Sequence, residues 1–147
     1  MPETVYIDRD RVPEAVDYII ELYQRTNIGD SYRSVRGYMG IIGLIIGLDE
    51  ELRWIDGFVG RIDRLRETQS PDESIDLVND LLERSKVYSQ VLARILSIRA
   101  LEDLLAESMH ERGLRIADST TKSFIEDLRY LAAGITRLDK YRFELSD

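Results

Sequence analysis

The sequence predicts an all-α protein: a bundle of about five helices with one long central helix and short strand-like termini. Three observations carry this. Only three prolines interrupt 147 residues. Apolar residues recur at the three-to-four spacing of amphipathic helices in most segments. A helix start at Ser70-Pro71-Asp72-Glu73 is followed by no glycine or further proline until Gly113. With 44% hydrophobic and 33% charged residues, the chain has the composition of a folded protein and the length of a single domain, 1–147, able to bury a core without metal or disulfide staples.

The elements follow in order. Val5-Tyr6-Ile7 reads as a short β-like start. From Val12, apolar residues at Val12, Val16, Ile19, Ile20 and Tyr23 alternate with acids, the pattern of one amphipathic helix. Asn27 and Gly29 then mark a turn, with Ser31 as the cap of a second helix running to about Ile46. Gly47 suits the position after a helix C-terminus, and Asp49 caps a third helix whose first turn holds Glu50 and Glu51, where acids complement the helix dipole. This third helix buries Leu52, Ile55, Val59 and Ile62 and ends near Glu67.

Ser70-Pro71-Asp72-Glu73 is a capping box with proline at the first helical position, where the missing N–H costs nothing. The wholly polar turn Glu83-Arg84-Ser85-Lys86 marks either a kink or break or the exposed waist of a long helix, and a long helix over 71–112, bent or straight, is the favoured expectation. A last helix beginning around Ser119 to Thr121 places Phe124, Leu128, Leu131, Ile135 and Leu138 in a 4-3-4-3 rhythm, the narrow seam of coiled-coil-like packing, which requires a partner helix. The tail Tyr141-Arg142-Phe143-Glu144-Leu145 alternates like a short strand.

Composition excludes several functions. Without cysteine there is no thiol catalysis, Cys-based zinc site or disulfide. The start has neither a basic region nor an apolar run of the secretory kind, so the cytoplasm is the expected location. The longest apolar run, Tyr38 to Leu48, is far short of the ~20 residues of a spanning helix, so no membrane partner is expected. A formal charge of −8 disfavours a protein whose main business is coating nucleic acid. Of the 20 basic residues, all but Lys86, Lys122 and Lys140 are arginine, the side chain better suited to bidentate carboxylate or phosphate contacts.

Two motifs deserve weighing. Glu107-Ser108-Met109-His110 has the Glu-x-x-His spacing that di-iron bundles use. Glu107 and His110 are nevertheless weak metal candidates, because such a site needs inward carboxylates from other helices, and a histidine near a helix end is favourable without any metal. The paired acids Glu50-Glu51 and Asp72-Glu73 sit in first helical turns, which suffices to explain them. No Gly-x-Ser-x-Gly, P-loop, Gly-x-Gly-x-x-Gly or His-Glu-x-x-His arrangement is present, so the chain is read as no enzyme and no cofactor is expected.

The stretch GYMGIIGLIIG holds Gly37, Gly40, Gly43 and Gly47, which fall in one helical stripe with Arg33 and Arg36 a turn earlier. Helix three repeats this arrangement with Arg53, Gly57, Gly60, Arg61 and Arg64. Interior glycines cost about 1 kcal/mol each relative to alanine, and close backbone approach is the usual compensation. Three sources of that approach are open: another helix of the same chain, a subunit interface, or phosphate drawn to Arg33, Arg36, Arg53, Arg61 and Arg64.

The functional expectation is a non-enzymatic assembly or adaptor protein, acting through helix packing in a homo-oligomer or larger complex with another protein. Gly37, Gly40, Gly43 and the seam Phe124 to Leu138 are its interface candidates. The alternative is a small accessory subunit of a nucleic-acid-binding complex using the Arg/Gly face, and a metal-binding bundle at Glu107 and His110 comes third. Nucleic acid is the less favoured partner.

Overall fold

The structure, a computed structural model, describes residues 7–47, 49–113 and 117–145. The side chains of 38–42, 44–46, 49, 51, 52, 54 and 118 lie outside that description. Among the described residues the chain is an all-α bundle without strands. A short 3-10 turn, Arg9–Arg11, leads into α1 (Val12–Arg25), followed by α2 (Ile28–Ile46), α3 (Asp49–Glu67), α4 (Pro71–Leu96), α5 (Leu101–Glu111) and α6 (Asp118–Leu145). α4 and α6 pack most extensively, α2 lies against both α3 and α6, and α3 closes onto α4. The buried side chains of all six helices form one continuous cluster.

α1 buries Val12, Ala15, Ile19, Leu22 and Tyr23. Val16 and Ile20 are only partly buried, so the core stripe is rotated from the expected one and uses the small Ala15 to admit neighbours. The turn after α1 also differs. Asn27 adopts the left-handed conformation (φ 53), which asparagine tolerates better than most residues, and α2 begins at once at Ile28. Gly29 is therefore a helical residue, not a turn residue, and a Cβ there would collide with the Tyr23 ring, 2.7 Å from Cζ. Ser31, expected as a cap, is buried inside the first turn.

Gly47 ends α2 in the left-handed conformation (φ 73), its N–H donating to the Gly43 carbonyl, as its place after the apolar run predicts. α3 buries Ile55, Phe58, Val59, Ile62 and Leu65; the expected burial of Leu52 lies outside the described residues. Ser70 caps α4 by accepting from the Glu73 N–H at 3.3 Å, with Pro71 at the first position. The reciprocal half of the capping box is absent. The Ser70 N–H instead donates to Thr68 Oγ1 at 3.3 Å, and the Glu73 carboxylate turns to Arg64 and Thr68. Those contacts pull the Glu73 carboxyl below its ordinary range, the Arg64 hydrogen bond first and that of Thr68 second.

α4 runs unbroken through the polar turn Glu83 to Lys86. Ser85 is fully buried and satisfies its hydroxyl by donating to the Leu82 carbonyl at 2.7 Å, so a small polar residue enters the core without an orphaned donor. The expected continuous helix over 71–112 is instead interrupted at 97–100. Ser97 donates back to the Arg94 carbonyl, and Ala100 takes a left-handed conformation (φ 54). The redirection lets Leu101, Leu105 and Met109 of α5 reach the core.

The predicted strand-like tail is helical: α6 runs to Leu145, with Tyr141 and Leu145, one turn apart, both buried. Tyr141 stacks on Tyr18 (centroids 3.8 Å, 14°), and Arg11 donates to the Leu145 carbonyl at 3.0 Å, tying the start of α1 to the end of α6. At the N-terminus Ile7 is buried; Val5 and Tyr6 lie outside the described residues.

Candidate interaction surface

α2 and α3, joined by a tight connection, pack as a hairpin whose outer side carries the arginines singled out in the sequence. Carboxylates meet Arg33, Arg36, Arg61 and Arg64. Arg33 lies 3.6 Å from Asp30, Arg36 lies 3.9 Å from Asp56, Arg61 lies 2.5 Å from Asp80 of α4, and Arg64 is bound by Glu73 of α4. Arg53 is exposed.

The acids do further work. Asp56 also accepts the Tyr32 hydroxyl, which with burial raises the Tyr32 pKa, burial being the larger cause. Asp63 accepts the Tyr23 hydroxyl at 3.2 Å, and Arg66 stands 5.5 Å over the Tyr23 ring. Asp80 holds Arg84 at 2.8 Å as well as Arg61, and Arg84 donates to the buried Tyr88 hydroxyl at 3.1 Å. The arginine face is thus largely neutralised from within, by pairs that individually contribute ~0–1 kcal/mol.

The glycines part company. Gly43 is buried within the chain, whereas Gly37 is exposed and a Cβ on it would meet nothing within 4 Å among the described residues. The expectation that another helix of this chain crosses the whole stripe therefore fails at Gly37. The side-chain surroundings of Gly40 lie outside the described residues. On α3, Gly60 is equally open among the described residues, and of these Gly57 is approached by Arg61 of its own helix. Close helix approaches lie elsewhere: at Gly29 against Tyr23 of α1, and at Gly134 of α6, where a Cβ would sit 2.6 Å from Cγ1 of Ile28.

Phe124, Leu128, Leu131, Ile135 and Leu138 are all buried in the chain's own core. The seam's partners are helices of the same chain, chiefly α4 and α2, and it is not free for a second subunit. Glu107 and His110 lie exposed at the end of α5, and no group of three or more potential metal ligands occurs among the described residues. Asp72 and Glu73 are engaged by Arg9 and Arg64. No described helix is long and apolar enough to cross a membrane.

Sequence reasoning missed a groove of about 430 Å³ between the α1–α2 turn and α6, lined among others by Arg25, Asn27, Ser31, Asp127 and Arg137. Nothing could have marked it, because the two walls lie about 100 residues apart in the chain and neither carries a motif. The chain matches no family model, no curated protein and no solved structure.

Proposed function

We propose that this protein is a non-enzymatic assembly protein whose α2–α3 hairpin packs against the same face of a second copy. The supporting observation is the pair of open glycines. Gly37 and Gly60 lie in helix interiors, where each costs about 1 kcal/mol relative to alanine, yet no described residue lies close enough to need a missing side chain. A helix backbone approaching from outside supplies that need.

The choice of a second copy rests on self-complementarity. A twofold interface must match its own surface, and the hairpin exposes both signs of charge: Arg33 beside Asp30 and Arg36 beside Asp56. These pairs can exchange partners across a twofold axis. Neutralisation of the arginines by carboxylates speaks against the nucleic-acid alternative, since phosphate binding draws on uncompensated positive charge.

Sedimentation velocity over a range of protein and salt concentrations tests the proposal. The expected result is a dimer or higher species little affected by salt, converted to monomer by Gly37→Leu or Gly60→Leu with the helical circular dichroism retained. A wild-type chain that stays monomeric throughout refutes self-assembly.

A further inference from the structure

The join between α4 and α5 is a strained elbow in a stretch of sequence suited to one helix. No glycine or proline occurs from Asp72 to Arg112, yet α4 stops at Leu96 and α5 restarts at Leu101. Alanine is the best helix former, but Ala100 sits at φ 54, ψ 41, where the Cβ of an L-residue crowds the following carbonyl. The Ile98 N–H bonds back to Ile95 and the Leu104 N–H to Ala100. A continuous helix would give every N–H between these two an acceptor four residues back. It would also keep one apolar face: at 100° per residue, Val91, Ile95, Ile98, Leu105 and Met109 fall within about 80° of one another.

The bend is maintained from outside the elbow. α5 packs chiefly on α6, and α6 packs on α4 and α2; within this arrangement Leu101, Leu105 and Met109 are buried. The inner side of the elbow is poorly filled, with a hollow of about 530 Å³ lined among others by Leu96, Ile98, Leu101 and Ile125. Straightening the hinge therefore breaks no close-packed contact beneath it. What it must preserve is the seating of α6 against α4 and α2, and that seating does not depend on which copy of the chain supplies α6.

We propose that the elbow at 97–100 is an exchange hinge: α4 and α5 straighten into one helix over 71–111, and α5 and α6 of each chain dock onto α1 to α4 of a second copy. Every α6 contact of the single chain is remade between chains, so the hinge alone changes, which makes such exchange a low-cost route to dimers. A short hinge under strain favours it. The two straightened hinges lie side by side at the twofold axis, where Leu96 and Ile98, partly buried in the single chain, cover their counterparts. The exchange uses neither Gly37 nor Gly60 and is independent of the α2–α3 interface.

Cross-linking between chains tests this, and the absence of cysteine makes introduced thiols unique. Ser34 of α2 and Ser123 of α6 are exposed and line one hollow. A short bismaleimide should join Ser34→Cys to Ser123→Cys within one chain, which verifies the fold. Chains carrying only Ser34→Cys are then mixed in urea with chains carrying only Ser123→Cys and refolded together at high concentration. Both also carry Gly37→Leu, so that a hairpin dimer does not contribute. The expected product is a cross-linked heterodimer. Spin labels at Gln90→Cys and Glu107→Cys, exposed on α4 and α5, should stand about 26 Å apart along the helix axis in that dimer, at 1.5 Å per residue, and closer in the monomer. Ala100→Gly relieves the elbow and weakens the straight helix in both chains, so it should raise the dimer dissociation constant by roughly 100-fold or more. The proposal is overturned if no cross-link forms between chains, if the label distance is the same in dimer and monomer, or if Ala100→Gly leaves the dimer unweakened.

Discussion

Adding one methyl group at Gly134 should destabilise the protein, while the same change at Gly37 should stabilise it. At Gly134 the new Cβ would lie 2.6 Å from Ile28 Cγ1, 2.8 Å from Ile28 Cδ1 and 3.0 Å from Thr26 Oγ1. Carbon atoms rest at about 3.5–4.0 Å, so Ile28 must retreat by about 1 Å. Ile28 is 1% exposed, and a close-packed interior gives it nowhere to go. Overpacking of this kind costs about 1–3 kcal/mol, against about 1 kcal/mol gained from replacing a helical glycine by alanine. The net expectation for Gly134→Ala is a loss of about 1 kcal/mol, or roughly 2–5 °C in Tm at this chain length. At Gly37 the space is open, only the propensity gain of about 1 kcal/mol remains, and the two variants should differ by about 2 kcal/mol. Urea unfolding of dilute protein, followed by helical circular dichroism, measures both. In a double-mutant cycle, Ile28→Ala should remove the penalty at Gly134 and give a clear coupling energy. If Gly134→Ala stabilises as much as Gly37→Ala, the close α2–α6 crossing is wrong.

Three further outcomes are expected. Ala100→Gly should stabilise by up to about 1 kcal/mol, because the left-handed conformation costs an L-residue about 1–2 kcal/mol and glycine little; thermal unfolding decides, and destabilisation would mean that α4 and α5 are one helix. Glu73 has a folded pKa below its ordinary 4.5, so its contribution is present above that value and lost as pH falls through the lower folded pKa. The urea midpoint of the wild type should therefore exceed that of Glu73→Gln near neutrality and converge with it in acid. Tyr141→Phe should be neutral or stabilising by up to about 1 kcal/mol, since the buried Tyr141 hydroxyl has no partner among the described residues; Tyr88→Phe, which removes the acceptor for Arg84, should cost about 1 kcal/mol in the same unfolding assay.

The helical class, the stop at Gly47, the start at Ser70 and the buried seam of α6 were legible in the sequence, because each rests on local backbone chemistry or on a spacing within one helix. The tail 141–145 shows where such spacing is ambiguous. Tyr141 and Leu145 are both two steps from Phe143 and one helical turn from each other, so both periods fit; packing of Tyr141 on Tyr18 and the bond from Arg11 decide for helix. The break at 97–100 carries no glycine or proline, and only the need of Leu101, Leu105 and Met109 to reach the core forces Ala100 out of helical geometry. Likewise the sequence shows a stripe of glycines and arginines but not what lies over it. The fold buries Gly43, leaves Gly37 open and hands four arginines to Asp30, Asp56, Asp80 and Glu73. Periodicity tells which face of a helix seeks cover; which element covers it, and which charges meet, depends on contacts between residues far apart in the chain, and those are decided only when the helices pack.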